Sequence, residues 1–183
     1  MVDEATGMSV ALIGSDGIYC AVVVSGANQT IDLSEIAVPD DLTVLVLQNE
    51  INTEVNFKII KKVPKSTFVI LNAAPALTPN KDFFERIDLL IVNQLEAKML
   101  LNEEPSIFNN LDALRKLQNL GPKEVIITMG ADGYKGISKN GEIFSEPGIK
   151  VDVLSTHGAG DSFVGTLAAF ICKGEPINIA AQY

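Results

Sequence analysis

The sequence of 183 residues has no tryptophan, one histidine and two cysteines. A lone histidine, His157, excludes a multi-histidine metal centre built within the chain. Cys20 and Cys172 form no C-x-x-C pair, which removes a zinc ribbon and a dithiol redox motif. Two reduced thiols in a cytoplasmic protein are the expectation. Basic residues are scarce: 14 Lys and Arg stand against 23 Asp and Glu, for a formal net charge of −9. A phosphate-backbone binder needs clustered cations, so neither nucleic acid nor an anionic membrane surface is an expected partner. No apolar run reaches the ~18 residues of a membrane-spanning helix. The acidic start, Met1-Val2-Asp3-Glu4, does not resemble the basic opening of a signal peptide. No repeat, low-complexity tract or linker interrupts the chain, and residues 1–183 read as one domain.

What is present is apolar and patterned. The chain is 47% hydrophobic and 20% charged, enough to build a core and too much for disorder. Met8 to Ile13 and Ile18 to Val24 flank Gly14-Ser15-Asp16-Gly17, a hairpin signal. Thr43 to Leu47, Thr67 to Leu71, Leu89 to Val92 and Glu124 to Thr128 are continuous apolar runs, as in strands buried on both faces. Between them lie helical patterns at Thr53 to Lys62, Lys81 to Arg86, Gln94 to Leu101 and Leu111 to Leu120. Short strands with glycine turns follow from Gly133 to Val153, the last at Val151 to Leu154. A final helix runs from Asp161 to Cys172. This β-α alternation predicts an α/β fold: an open, mostly parallel sheet with helices on both faces.

In such sheets ligands bind beyond the carboxyl ends of the strands. The informative segment there is Ser155-Thr156-His157-Gly158-Ala159-Gly160-Asp161, which opens the last helix. Glycines can bring bare amides close to an anion at a helix N-terminus, where the macrodipole favours negative charge. A carboxylate beside them, Asp161, can take a proton from an alcohol. An anion hole next to a base is what phosphoryl transfer to a hydroxyl requires. A tight turn with Asp161 capping the helix is the competing reading. Other phosphate motifs fail. No Lys-Ser or Lys-Thr completes a P-loop, and the spacing to Gly165 does not fit a dinucleotide fingerprint.

The stretch from Leu154 to Gly165 resembles the C-terminal signature of the ribokinase-like (PfkB-type) carbohydrate kinases. Further segments resemble that family in order: Ser25-Gly26-Ala27-Asn28, Gln48-Asn49-Glu50, Asn72-Ala73-Ala74-Pro75-Ala76, Asn93-Gln94-Leu95-Glu96 and Thr128 to Gly133. The likeness runs from about Thr6 to Gln182. It implies a three-layer α/β/α fold with a partial lid hairpin, and transfer of the γ-phosphoryl of ATP to a sugar hydroxymethyl group, ribose first. Asp161 would be the base, also touching the sugar. Gly158, Ala159 and Gly160 would form the anion hole. Asn93, Thr128, Met129, Gly130, Ala131, Asp132, Gly133 and Gly160 would lie along the nucleotide. Glu96 would hold Mg²⁺ through water, and Glu50 would contact the sugar. Asn93 and Glu96 have the spacing of a helix capping box as well, and the two roles are compatible. Glu50 reads equally as a carboxylate at a helix start.

The sequence departs from the family in two places. The position of an aspartate that helps ligate a monovalent cation is Ser155, with His157 nearby, so potassium activation is in question. His157 is either a neutral turn residue or a proton donor near phosphate; no acid is placed to orient a Ser155–His157 pair. The family's N-terminal substrate Asp and Gly-Gly motif, and its C-terminal adenine-enclosing segment, have no counterpart here. A non-catalytic nucleotide-binding or partner-binding module of the same fold is therefore the alternative. Exposed lid strands make a homodimer a further expectation.

Overall fold

The computed structural model describes residues 3–13, 19–77, 81–103, 109–153 and 155–183, with the side chains of 11–13 and 19–21 left aside. Two strands, β1 (Met8–Ile13) and β2 (Tyr19–Val24), pair antiparallel as a separate two-stranded sheet. The Gly14 to Gly17 turn lies outside the described residues. Short 3-10 turns at Gly26–Thr30 and Leu33–Glu35 lead into the main body.

That body is a six-stranded sheet: β3 (Val44–Gln48), β4 (Phe68–Asn72), β5 (Leu89–Asn93), β6 (Glu124–Thr128), β7 (Tyr134–Ile137) and β8 (Ile143–Glu146). The strands stand side by side in chain order: β3 to β6 are parallel, β7 runs antiparallel to β6, and β8 runs antiparallel to β7. Each parallel pair needs a crossover, and helices supply it: α1 (Thr53–Lys62), α2 (Lys81–Glu85), then α3 (Gln94–Leu101) and α4 (Asn110–Gln118). With strands in unbroken order and crossovers of one hand, these helices fall on a single face. The opposite face carries α5 (Ala159–Cys172) and α6 (Ile177–Ala180).

Alternation along the strands separates the two cores. Val69, Leu71, Leu90, Val92, Val125 and Ile127 pack with Ile60, Phe84, Leu114 and Leu117 of the α1–α4 layer. Ile70, Leu89, Ile91 and Ile126 pack with Val164, Leu167 and Ile177 of the α5–α6 layer. Burial on both sides explains the continuous apolar runs. Each fully buried Leu or Ile contributes roughly 1.5–3 kcal/mol. At the amino ends of the strands, Asp88 is held by Arg86 and Lys123 and accepts the Val69 N–H at 2.8 Å, which pins β4 to β5.

One expected strand does not form. Residues 151–153 are exposed and belong to no sheet, and Leu154 lies outside the described residues. Pro147 and Gly148 end β8. Pro147 has no N–H for a ladder, and no described strand lies alongside residues 149–153.

Candidate active site

Asn93 is both the last residue of β5 and the N-cap of α3. Its side chain accepts the Glu96 N–H at 2.9 Å, and Glu96 Oε2 accepts the Asn93 N–H at 2.7 Å, so the capping box is complete. Burial pushes the Glu96 carboxyl above its ordinary value, partly offset by the Asn93 N–H. The box engages Oε2. A carboxylate is a hard oxygen donor, so Glu96 fits a Mg²⁺ held through water.

On the neighbouring strand, Thr128 ends β6 and its hydroxyl donates to the Val92 carbonyl at 3.4 Å. The chain then turns through Gly130–Asp132 into β7, with Met129 N–H bonded to the Gly133 carbonyl at 2.8 Å. Gly133 has φ +83°, and a Cβ there would meet the Glu146 carbonyl at 2.0 Å, so the turn requires glycine.

On the other side of the sheet, Gly158 caps α5 with φ +74°, a left-handed conformation. It offers no side-chain cap to the first-turn amides. A Cβ at Gly160 would meet nothing within 4 Å, so packing does not require glycine there; its absence leaves the backbone bare toward open space. Asp161, exposed in the same first turn, accepts a hydrogen bond from Gln48 Nε2 at 3.0 Å.

These three groups converge. A cleft of about 1200 Å³ at the carboxyl ends of β4, β5 and β6 is lined by Asn72, Asn93, Glu96, Thr128, Gly130 and Ala131. Ser155, Gly158, Ala159, Gly160 and Asp161 close it from the α5 side. A smaller cleft of about 480 Å³ adjoins it, sharing Thr128, Gly130, Ala159 and Gly160 and adding Gly133, Tyr134 and Tyr183. The Tyr134 hydroxyl beside it is buried without a partner, and burial pushes it above its ordinary value.

Several expected residues lie elsewhere. Met129 turns its side chain to the α3–α4 layer, where Asn110 Nδ2 lies 3.1 Å from its Sδ. The alternation of β6 and the turn direct it away from the cleft. Asp132 is exposed and outside the lining. Glu50 lines a separate groove of about 380 Å³ with Asn28, Gln48 and Asn56, because the chain bends after β3 toward the 3-10 turn, where Gln29 donates to the Glu50 carbonyl. Ala159 reaches the cleft, but its N–H donates back to the Thr156 carbonyl at 3.2 Å, closing the turn. Its amide is thus not open as an anion-hole donor. His157 is outside the lining; its N–H donates to Ser155 Oγ at 3.2 Å. Among the described residues no three His, Cys, Asp or Glu cluster as metal ligands.

Sequence reasoning passed over Lys150, the basic residue among the described lining, and Asn72 and Gln48. Asn72 and Gln48 stand in segments that resemble the family's. Lys150 carries no signal in sequence, since it sits in an irregular segment.

The chain matches the model of the pfkB family of carbohydrate kinases over residues 6–183. It belongs to that family. It is 29% identical over 192 residues to a ribokinase of Schizosaccharomyces pombe, covering 99% of this chain and 60% of the relative. It is 30% identical over 184 residues to a ribokinase of Arabidopsis thaliana, covering 94% of this chain and 48% of the relative. Among solved structures, ribokinase from Thermotoga maritima superposes with a TM-score of 0.85 at 28% identity, over 98% of this chain and 61% of that one. Ribokinase of Arabidopsis thaliana complexed with ribose and ATP gives 0.81 at 27% identity, over 98% and 60%. The three-layer α/β/α fold is therefore that of the ribokinases. The chain spans about half to three-fifths of the length of these curated relatives. Among the described residues no helix is long and apolar enough to cross a membrane.

Proposed function

We propose that this chain carries the phosphoryl-transfer site of an ATP-dependent sugar kinase whose acceptor is a hydroxymethyl group, ribose first. The observation that carries this reading is Asp161, in the bare first turn of α5, facing the cleft shared with Asn93, Glu96 and the Thr128–Ala131 turn. The sugar oxygen would attack the γ-phosphorus, its proton would pass to Asp161, and the bond to the ADP oxygen would break. The first-turn amides at Gly160 and Asp161, with the α5 macrodipole, would stabilise charge on the transferred oxygens. Gly158 contributes by its left-handed turn rather than by a side chain.

In this reading the nucleotide lies between the α5 turn and the Thr128–Gly133 turn, its phosphates near Lys150. Met129 and Asp132 serve that turn through backbone. Glu96 would hold Mg²⁺ through water, which would supply charge neutralisation at the phosphate oxygens. Glu50 would reach a sugar from its adjacent groove. For a monovalent cation the Ser155 hydroxyl and the His157 carbonyl would stand where the family has a carboxylate, so potassium stimulation is expected to be weak. We also read residues 1–183 as part of one kinase domain, working in a cytoplasmic setting where the free Cys172 persists reduced.

A second copy of the chain is the partner that suits the hairpin. Its register puts Met8, Val10, Val22 and Val24 on one face, all exposed. ADP release with a panel of sugars, beside calorimetry with ATP, tests the assignment. ATP binding with ribose-dependent ADP release supports it. ATP binding without turnover on any sugar replaces it with the non-catalytic module.

A further inference from the structure

We propose that Gln48 is a positioning residue that selects which oxygen of the Asp161 carboxylate takes the substrate proton; the inference rests on the kinase reading above. Gln48 ends β3 and Asp161 lies in the first turn of α5, 113 positions later, with Nε2 to Oδ1 at 3.0 Å. An ionised carboxylate only accepts, so the amide nitrogen must face it, and the orientation of the Gln48 amide is fixed by that partner.

The backbone under Gln48 is held from several sides. Asn56, fully buried, donates from Nδ2 to the Gln48 carbonyl at 2.7 Å. Asn49 N–H reaches the Ala74 carbonyl at 3.0 Å, and Asn49 Nδ2 reaches the Pro75 carbonyl at 2.9 Å. Gln48 pairs in register with Asn72 of β4. Its side chain is thus projected from a rigid strand end. Asp161, by contrast, is an exposed side chain on a helix turn with two torsions to lose. The bond to Oδ1 holds that carboxylate and leaves Oδ2 for the hydroxyl. Once Oδ2 has taken the proton, Oδ1 is a carbonyl oxygen and still accepts from Gln48, so the bond survives the transfer. Being exposed, it adds little to folding stability, which separates a positioning role from a structural one.

The test is Gln48→Leu beside wild type in steady-state kinetics with ATP and ribose. The expected result is a kcat lower by roughly 10- to 100-fold, as for lost alignment of a reacting group, with both KM values within about twofold and an unchanged melting temperature. Unchanged kcat overturns the proposal. So does a rise in the ribose KM alone, which would make Gln48 a sugar ligand. A second measurement needs no turnover: the side-chain amide of Gln48, assigned in a nitrogen-15 NMR spectrum by its loss in Gln48→Leu. Asp161→Ala should shift that signal and speed its hydrogen exchange. A signal indifferent to Asp161→Ala overturns the pairing. A wild-type chain that binds ATP but turns over no sugar, yet shows the shift, overturns the kinase reading and leaves the pairing standing.

Discussion

Asp161 and Gly160 sit side by side in one helical turn and answer to different demands. In the proposed mechanism Asp161 needs a carboxylate that can take up and release a proton. Asp161→Asn keeps the shape and a polar contact to Gln48 but cannot act as base. It should lower kcat by about 10²–10⁴-fold while ATP affinity measured by calorimetry stays within about threefold. Equal turnover would remove Asp161 from the base role. Gly160 needs only to be without a side chain. A Cβ there meets no protein atom within 4 Å, and valine is no poorer a helix former than glycine, so Gly160→Val should leave the fold intact. ATP affinity should nonetheless fall at least tenfold, because the added methyls occupy the space before the amides. Circular dichroism and calorimetry on the same sample separate the two effects.

At the scale of elements, the junction of β5 with α3 has no loop at all. One residue, Asn93, closes the strand and caps the helix. Asn93→Ala removes the acceptor for the Glu96 N–H and should cost about 1 kcal/mol of stability, read from denaturant unfolding. The start of β6 shows a different balance. Glu124 is buried, and its Oε1 accepts the Lys139 N–H at 3.3 Å. Burial raises its carboxyl above the ordinary 4.5, outweighing the help from the Lys139 N–H and charge. A raised carboxyl favours the folded state in its protonated form. That contribution is full below 4.5 and is lost as pH rises through the folded value. Glu124→Gln keeps an acceptor and removes the buried charge. It should melt higher than wild type at pH 7, and the advantage should vanish once pH falls below 4.5. A variant less stable at both pH values would show that the charge itself holds the strand.

The molecule as a whole divides its labour between the two sheets. The six-stranded sheet separates two apolar layers and opens its carboxyl ends on the cleft. The hairpin stands apart with an exposed apolar face. If that face meets a second copy, Val10→Lys with Val22→Lys places like charges directly across the β1–β2 pair and on the contact. Sedimentation should then show a dimer of the wild-type chain becoming a monomer, with ATP binding retained. A wild-type chain that sediments as a monomer at all concentrations would assign the hairpin no such role.

The order of strands and helices was legible because each rests on short-range physics. Two-sided burial makes the middles of β4, β5 and β6 apolar, and Asn93 with Glu96 writes a helix start into four residues. That Gly158 to Asp161 open the last helix was legible for the same reason, since a left-handed glycine at a helix start is a local choice. The tertiary structure decided what depends on where elements meet. It turned Met129 into the α3–α4 layer, put Glu50 in its own groove, and left residues 149–153 without a strand partner. It also brought Gln48 to Asp161 across 113 positions. Such contacts are fixed by sheet register and helix packing, to which distant residues all contribute and which no local pattern encodes.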